Sequence, residues 1–467
     1  MSAQPSLVTL PLESLTPAEA FRRALAHPDL RPVALLESAR PQEPTGRYSF
    51  IALDPVLRIQ SRGTAIRLSG AVNQQFHARP LPWLHHLLAR FHTPRPPGGP
   101  PFLGGLVGYF GYDLVRFFER LPRAAVDDLL LPDLDLFLVG TVVAFDHREG
   151  AVTVARTAFG EPFRARSTAL EPILELLSRP EAPGHEPEPT AQPVRITAGQ
   201  TSAQYESNVR RALDYIAAGD IFQANLAHRF TFELGGRAPW RIYERLRAIN
   251  PSPFAAYLDF GSHALVSASP ERLVSLRDRR VETRPIAGTR PRSADRQADR
   301  ALLHELLSNE KERAEHLMLV DLERNDLGRV CEYGSIKVDE LMVTERYSHV
   351  SHLVSNIGGR LHPGKDWLDL FRAVFPGGTV TGVPKVRCME IIDELEPVRR
   401  GPYSGSIGYV SLSGDLDLNI VIRTLIVQGR RGHLHVGAGI VADSDPSREY
   451  AETLYKAQAV RDAVERA

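Results

Sequence analysis

The sequence predicts a mixed α/β fold of the α+β type, because strand-like and helix-like segments follow one another without a regular βαβ rhythm. Short apolar runs bounded by polar residues and proline occur within residues 1–178, and helical and strand patterns alternate after residue 200. The chain has 467 residues, which is enough for two or three ordinary domains or for one large body.

The first region, residues 1–178, is predicted to carry strands at residues 35–38 and 47–53. Residues 94–101 must form an irregular loop, because their prolines lack an amide hydrogen and restrict the residues before them. Residues 179–196 are predicted to form a linker or surface loop, since five prolines lie between Arg179 and Pro193. A second region, residues 197–467, carries the chemical motifs.

Helices and strands alternate in this second region. Apolar residues recur at helical spacing from Tyr205 to Ile216, and Gly219 follows as a stop. A second apolar stripe at residues 302–307 leads into a further predicted helix that carries Glu315. Residues 410–436 read as strands broken at residues 414–415 and 429–432. A terminal helix is expected to begin at Pro446, with Ser444 or Asp445 as its cap.

Composition excludes several classes of protein. Lys+Arg and Asp+Glu balance at 56 each, so neither a nucleic-acid surface nor an anionic membrane surface is expected. The sequence has no N-terminal signal-peptide pattern and no apolar run of about 18 residues. These features predict a cytoplasmic protein without a membrane span. Cys331 and Cys388 form no disulfide framework and are predicted to be inert buried thiols.

Two glycine-rich segments look like nucleotide motifs and do not satisfy them. Residues 437–442 match G-x-G-x-x-A, but only one helix follows, without the further strand and acidic residue that a dinucleotide site needs. Residues 377–385 resemble a phosphate loop, yet Val383 and Pro384 separate the second glycine from Lys385. Neither segment is therefore expected to bind a nucleotide.

The terminal helix carries Glu449, Glu452 and Lys456 at spacings that place them on one face. One interpretation is a solvated charged face with a Glu–Lys pair. The other is a divalent cation site, because magnesium prefers oxygen ligands and usually takes one or two carboxylates together with substrate oxygens. Glu315, on another predicted helix, can supply a facing carboxylate.

Together these segments resemble the chorismate-utilising enzymes, specifically the large aminating subunit shared by anthranilate synthase and aminodeoxychorismate synthase. The resemblance rests on the number and order of the segments, which are residues 285–290, 321–326, 375–379, 405–409 and 437–443, Glu315 and the terminal helix. It implies two large β-sheets stacked as a sandwich with helices outside. It also implies that residues 1–178 are the N-terminal region of the aminating subunit and residues 197–467 the chorismate-binding catalytic region.

The resemblance further implies a Mg²⁺ site and a set of catalytic residues. Glu315 and Glu452 match the metal positions, with Glu449 beside them. Glu271 matches the general acid/base, His352 the histidine near the leaving hydroxyl, and Lys456 a lysine near metal and substrate. The residues implied to contact substrate are Ala287, Gly288, Thr289, Thr379, Tyr409, Arg423, Gly437, Ala438 and Gly439.

The implied activity is the amination of chorismate with ammonia from a separate glutamine amidotransferase subunit. Ala287 stands where many aminodeoxychorismate synthases carry a nucleophilic lysine, which favours anthranilate synthase, and so do residues 35–38 and 345–349. Residues 223–226, 321–324, 375–378, 405–408 and 418–420 look more like aminodeoxychorismate synthases and favour that activity by a narrow margin. Isochorismate and salicylate synthases, or a chorismate-binding regulator, are the rival classes.

A possible allosteric site is the last expectation from the sequence. Glu37 and Ser38, together with Pro251, Ser252 and Phe254, resemble the tryptophan pocket of anthranilate synthases. The alternative is structural, an edge strand followed by a proline turn.

Overall fold

The computed structural model describes residues 5–12, 14–39, 46–163, 170–179, 192–293, 295–346 and 350–467. Within these ranges the helices are α1 (Pro17–Ala26), α2 (Pro80–Ala89), α3 (Glu171–Ser178), α4 (Ser202–Ala217), α5 (Pro239–Ile249), α6 (Arg296–Ser308), α7 (Glu310–Gly328), α8 (Trp367–Val374), α9 (Lys385–Leu395) and α10 (Pro446–Glu465). Single 3-10 turns cover Tyr112–Phe117 and Gly378–Val380.

The strands of the same ranges alternate with these helices. They are β1 (Ser6–Pro11), β2 (Pro32–Glu37), β3 (Tyr48–Arg62), β4 (Ala65–Gly70), β5 (Gln74–His77), β6 (Gly105–Phe110), β7 (Leu134–Asp146), β8 (Ala151–Arg156), β9 (Ile196–Ala198), β10 (Gln223–Glu233), β11 (Phe254–Asp259), β12 (Ala264–Ser269), β13 (Arg272–Arg277), β14 (Arg280–Arg284), β15 (Ile286–Pro291), β16 (Lys337–Arg346), β17 (Val350–Arg360), β18 (Gly382–Val383), β19 (Ser406–Ser411), β20 (Leu416–Asn419), β21 (Thr424–Gln428) and β22 (Arg431–Ile440).

Two antiparallel sheets share the long strands β3 and β7. In the first sheet the order is β1-β8-β7-β3-β2-β11-β12-β21-β22-β10, with β9 and β18 along β10. In the second sheet it is β5-β4-β3-β7-β6-β19-β20-β13-β14-β17, with β15 and β16 along β17. Strand β3 changes sheet at Asp54, whose φ of +49° and the adjacent register shift bend the chain.

The predicted sandwich with helices outside is confirmed by the separate clusters that the buried apolar side chains form. One buried cluster contains Ala34 and Leu265 of the first sheet with Val107 and Ile407 of the second, so the inner faces of the sheets pack together. A second cluster packs α1, α3, α5 and α10 on the outer face of the first sheet. A third packs α2 and α8 on the outer face of the second sheet.

Most sequence-predicted elements are present. The helix expected at 205–216 is α4, closed at its start by a capping box between Thr201 and Gln204. The terminal helix begins at Pro446 with Asp445 as its cap. Strands of the two predicted regions pair with each other, β2 with β11 and β6 with β19, and the boundaries at 178 and 196 stay predictions. Most of the predicted linker, residues 180–191, lies outside the described residues.

Candidate active site

One large cavity, of about 770 Å³, opens between α7 of the second sheet and α10 of the first. Strands β10, β15 and β22 and the loop after α5 complete its wall. Nine of the residues predicted to bind metal or substrate, or to act in catalysis, line it: Ala287, Gly288, Glu315, Thr379, Arg423, Gly439, Glu449, Glu452 and Lys456. Pro251 and Ser252, which the sequence placed in an allosteric site, line it as well.

The glycines of β22 leave room for polar side chains of the neighbouring strand. A Cβ atom on Gly437 would lie 2.6 Å from Asn225 Oδ1 and 2.8 Å from the Tyr403 hydroxyl oxygen. A Cβ on Gly439 would lie 2.8 Å from Gln223 Nε2. Ala438 alternates to the opposite face and is fully buried under α4 and α9. The side chain of Ala438 therefore faces away from the cavity.

Among the described residues, no strand pairs with one edge of this glycine segment. Strand β21 pairs with β22 only as far as Leu434, whereas β10 pairs with β22 through Ile440. Backbone amides on the β21 side of residues 437–439 are therefore available to a bound oxyanion, as glycine-lined segments allow.

Glu449, Glu452 and Lys456, which the sequence places on one face of α10, line the cavity. Lys456 Nζ donates a hydrogen bond to the Gly437 carbonyl oxygen at 2.9 Å and forms an ion pair with Glu452 Oε1 at 2.7 Å. The predicted Glu–Lys pair is thus present, and it lies on the cavity wall beside Glu449. The helix face that carries the Glu–Lys pair is therefore also part of the cavity lining. The divalent cation site at this face stays a prediction.

Glu315 faces α10 from helix α7, and it is held by a residue that the sequence analysis missed. Gln223 Nε2 donates a hydrogen bond of 2.5 Å to Glu315 Oε1. Gln223 and Asn225 are the signal that could have been noticed, since both are polar and occupy alternate positions of an otherwise largely apolar strand. Both line the cavity.

The cavity wall carries more negative than positive charge. Five carboxylates and three cationic side chains line it: Glu312, Glu315, Glu449, Glu452, Asp462, Arg290, Arg423 and Lys456. Arg290 is already paired with Glu312 and Glu305. A dianionic ligand entering this site would meet an excess of negative charge, so the lining suits such a ligand only together with a cation.

The carboxylates of the cavity fit a magnesium ion that is also held by water and by oxygens of the substrate. No group of three His, Cys, Asp or Glu side chains in the described ranges is close enough to hold a metal by protein ligands alone. Magnesium commonly keeps waters and takes one or two carboxylates plus oxygens of the substrate. Glu315 and Glu452, with Glu449 beside them, are the carboxylates of the cavity that fit this role.

Glu271 lies behind the cavity wall at the turn between β12 and β13. It is 4% exposed, and its Oε1 accepts a hydrogen bond from the amide of Ile286 at 3.4 Å. Burial raises the pKa of Glu271 to about 7, although the Thr379 hydroxyl, that amide, Arg423 and Lys456 all oppose the rise. A carboxyl with this pKa can both give and take a proton near neutral pH.

Arg423 reaches the cavity from the link between β20 and β21. Its φ of +49° is unusual for a residue with a side chain, and such backbone conformations occur preferentially at functional sites. The Arg423 carbonyl oxygen accepts from the Ala268 amide, which fixes the link to β12. The position agrees with the predicted carboxylate-binding role, which stays a prediction.

Strand β15 supplies the wall opposite α10. Gly288 has φ +61°, and a Cβ there would lie 2.4 Å from Glu312 Oε2. The register of β15 with β17 shifts between Ala287 and Thr289, and Thr289 pairs with His352. His352 is 1% exposed within β17 and does not line the cavity, and its predicted place near the leaving hydroxyl stays a prediction. The side chain of Thr289 lies outside the described atoms.

Tyr409 also does not line the large cavity, and its predicted contact with substrate stays a prediction. On β19 its ring points into the sandwich interior and stacks on Phe102 at 4.5 Å between ring centroids. It lines a second, smaller cavity of about 60 Å³. The tyrosine that reaches the glycine strand is Tyr403, held between the His435 ring and the Arg400 guanidinium.

The second cavity also takes part of the predicted allosteric set. Glu37, Ser38 and Phe254 line it, whereas Pro251 and Ser252 belong to the large cavity. The Glu37 carboxylate accepts hydrogen bonds from the Tyr243 hydroxyl at 2.7 Å and from both Nε and Nη2 of Arg247. Glu37 therefore has a structural role in addition to any contact with a ligand.

Both cysteines of the chain are poor nucleophiles. Burial raises the pKa of Cys331 to about 11 and that of Cys388 to about 12. Cys388 Sγ donates to the Gln223 carbonyl oxygen at 3.0 Å. Residues 437–440 of this segment lie in strand β22 rather than in a turn that leads directly into a helix, which removes the dinucleotide interpretation.

The fold and the cavity define a binding site for a small polar molecule. The family of chorismate binding enzymes matches residues 31–462, and the chain belongs to this family. The anthranilate synthase component I-like protein of Synechocystis sp. is 45% identical over 461 residues, covering 98% of this chain and 91% of that protein. Aminodeoxychorismate synthase component 1 of Bacillus subtilis is 42% identical over 439 residues, covering 92% of this chain and 91% of that protein.

A solved structure agrees with the fold. The crystal structure of anthranilate synthase component I from Streptococcus pneumoniae matches with a TM-score of 0.78 and 36% identity, covering 90% of this chain and 93% of that one. Among the described residues, no helix is long and apolar enough to cross a membrane.

Proposed function

We propose that the protein aminates chorismate in a magnesium-dependent reaction, using ammonia from a glutamine amidotransferase partner. The observation that carries the proposal is that Glu315, Glu449, Glu452 and Arg423 line one and the same cavity. Chorismate brings two carboxylates, a ring hydroxyl and an enolpyruvyl ether. The names of the relatives, which are synthases of anthranilate and of aminodeoxychorismate, support the same substrate.

Each side chain has a task that its position supports. Arg423 can grip a substrate carboxylate through two parallel hydrogen bonds, and the open edge of β22 can donate to an oxyanion. Magnesium held by Glu315 and Glu452 would neutralise charge and help the ring hydroxyl leave. Glu271, with its pKa near 7, can give a proton to the leaving oxygen and take one from the incoming nitrogen.

For the product, our first candidate is 4-amino-4-deoxychorismate, the product of aminodeoxychorismate synthase component I, because more sequence segments resemble that subfamily. Anthranilate with pyruvate, the product of anthranilate synthase component I, is the second candidate. Ala287 favours it, since this residue lines the cavity and carries no amine that could attack the ring. In either case ammonia must attack the ring directly.

One experiment decides between the products. The purified chain is incubated with chorismate, magnesium and ammonium at alkaline pH, and the product is identified by mass spectrometry. A product that retains the enolpyruvyl group supports the first candidate, and anthranilate with equimolar pyruvate establishes the second. Conversion to isochorismate or salicylate, or no conversion, would overturn the proposal of amination.

The partner is proposed from the cysteines of this chain. A glutaminase needs a reactive thiolate, and burial keeps both thiols protonated near neutral pH. Free ammonium should therefore support turnover, whereas glutamine alone should not until the amidotransferase is added. Turnover with glutamine and the isolated chain would contradict the need for a partner.

We also propose that the smaller cavity is the place for feedback inhibition by tryptophan, if the product is anthranilate. Its lining by Glu37, Ser38 and Phe254 supports this. Inhibition by tryptophan that is lost in Ser38→Trp, a variant that fills the cavity, is the expected result. Activity unchanged at saturating tryptophan would remove the proposal.

A further inference from the structure

A buried carboxyl on α7 is not explained by the proposed chemistry. Glu323 is 8% exposed and does not line the large cavity. Across the described residues it forms no ion pair within 4.0 Å. Lys385, whose charge acts on Glu323, is paired with Asp326 at 2.5 Å and donates to the Val374 carbonyl oxygen. An ionised carboxylate without a cation is costly in such a place, so the neutral acid is favoured.

The hydrogen bonds around Glu323 indicate the same protonation state. The Thr283 hydroxyl oxygen lies 2.9 Å from the Leu273 carbonyl oxygen, which can only accept. The same hydroxyl is also in close contact with Glu323 Oε2. A hydroxyl has one hydrogen, so when Thr283 donates to Leu273 its second contact needs a proton from Glu323. Both contacts of the Thr283 hydroxyl are hydrogen bonds when Glu323 is a carboxylic acid.

This acid is linked to Glu271 through two adjacent strands. Leu273 follows Glu271 by two residues on the same chain segment, and Thr283 precedes Ile286, whose amide donates to Glu271, by three. The charges of Glu271 and Asp326 add to the effect of burial in raising the pKa of Glu323 to about 8, while Lys385, and Thr283 when its hydroxyl donates to the carboxyl, oppose it. The negative charge of an ionised Glu271 therefore favours the neutral form of Glu323.

We propose that Glu323 is a positioning residue that is a neutral acid behind Glu271 near neutral pH, so that ionisation at that pH falls on Glu271 and Glu323 loses its proton only at higher pH. This inference rests on the proposed function only where it assigns proton transfer to Glu271. The protonated state of Glu323 stands independently of the reaction, which allows the two to be tested apart.

The first test does not require turnover. Infrared difference spectra of the full chain are recorded in heavy water between pH 6 and 9, in the region where protonated carboxyl groups absorb. We expect a protonated carboxyl band at pH 7 that loses part of its intensity in Glu323→Gln, a substitution that retains the shape of the neutral acid, while Glu271, with its pKa near 7, contributes to the remainder. Glu282→Gln removes a half-buried carboxyl next to Thr283 that is paired with Arg280, and it should leave the band intact. The same band in Glu323→Gln and wild type would overturn the inference.

The second test addresses the link to Glu271. Rates of chorismate amination are measured for Glu323→Gln and wild type at each pH, and their ratio is taken so that the ionisation of ammonium cancels. We expect a ratio near one at pH 7 that rises to about threefold or more at pH 9, because only the wild type can lose a second proton from the pair. A ratio that is flat over this range would overturn the coupling. A wild-type chain that shows the band but no amination would contradict the proposed function and leave the neutral Glu323 standing.

Discussion

Lys456 Nζ lies 2.9 Å from the carbonyl oxygen of Gly437. This hydrogen bond ties the terminal helix to the strand whose glycines line the cavity. The same ammonium group forms an ion pair with Glu452 at 2.7 Å. It therefore competes with magnesium for a carboxylate that we propose as a metal ligand. The lysine thus links three parts of the proposed site, which are the helix, the glycine strand and the metal ligands.

Replacement of Lys456 should separate metal binding from catalysis. In Lys456→Met the Glu452 carboxylate loses its competing cation, so magnesium should bind the free protein several times more tightly. Chorismate turnover should nevertheless fall by about 10² or more, since the link to β22 is lost. Calorimetry with magnesium alone and a rate assay measure the two effects. Lys365→Met, which removes an exposed pair with Asp369, is the control, and weaker magnesium binding in Lys456→Met would contradict the assignment.

The close approach at Gly437 predicts a sharp response to one methyl group. In Gly437→Ala the new Cβ would meet Asn225 Oδ1 at 2.6 Å and the Tyr403 hydroxyl at 2.8 Å. We expect a loss of about 1–3 kcal/mol in the free energy of unfolding, as overpacking in a buried site typically causes, with a higher KM for chorismate. Gly160→Ala, which adds a methyl group in open space, should change neither value. Equal stability of the two variants in urea would contradict the described packing.

The two tyrosines near β19 should behave differently. Tyr403→Phe removes a hydroxyl at the glycine strand, and we expect chorismate turnover to fall by about 5- to 50-fold, the worth of roughly one hydrogen bond. Tyr409→Phe changes the smaller cavity and should leave turnover nearly unchanged. Steady-state rates with ammonium compare the two variants. A larger loss in Tyr409→Phe would favour the contact predicted from the sequence.

The coupled carboxyls also predict how stability depends on pH. Burial raises the pKa of Glu271 to about 7 and that of Glu323 to about 8 from an ordinary value of 4.5. The folded protein therefore binds more protons than the unfolded chain between pH 4.5 and 8, and stability falls as pH rises through this window. Glu323→Gln removes one of these groups. At pH 9 it should be more stable than wild type by roughly 2–4 kcal/mol, with a smaller difference at pH 6.

Urea unfolding at pH 6 and pH 9 measures this difference. Glu282→Gln, which removes a carboxyl that lies partly in solvent beside Arg280, serves as the matched control. A stability difference between Glu323→Gln and wild type that is the same at both pH values would show that Glu323 is not titrating with a raised pKa.

Local chemistry explains which elements could be predicted from the sequence. Pro446 preceded by Asp445 marks a helix start, and the i, i+3, i+7 spacing places Glu449, Glu452 and Lys456 together whatever the tertiary fold. All three side chains line the cavity, as their common face of the helix predicts. Predictions of this kind need only the geometry of one helix.

Residues that depend on strand register could not be predicted in the same way. Tyr403 and Tyr409 lie six positions apart, and only the alternation of β19 and the turn before it decide which one reaches Gly437. His352 matches a motif, yet within β17 it does not line the cavity. The role inferred for Glu323 depends on Thr283 and Leu273 meeting across β13 and β14, which no local pattern encodes.

The central claim is that this cavity joins ammonia to chorismate. The most direct measurement is to incubate the chain with chorismate, magnesium and isotopically labelled ammonium, and to follow the label by mass spectrometry. We expect labelled nitrogen in a ring product, and we expect its formation to stop on removal of magnesium or in Glu271→Gln. Products that contain only oxygen from water, or chorismate left unchanged, would contradict the account.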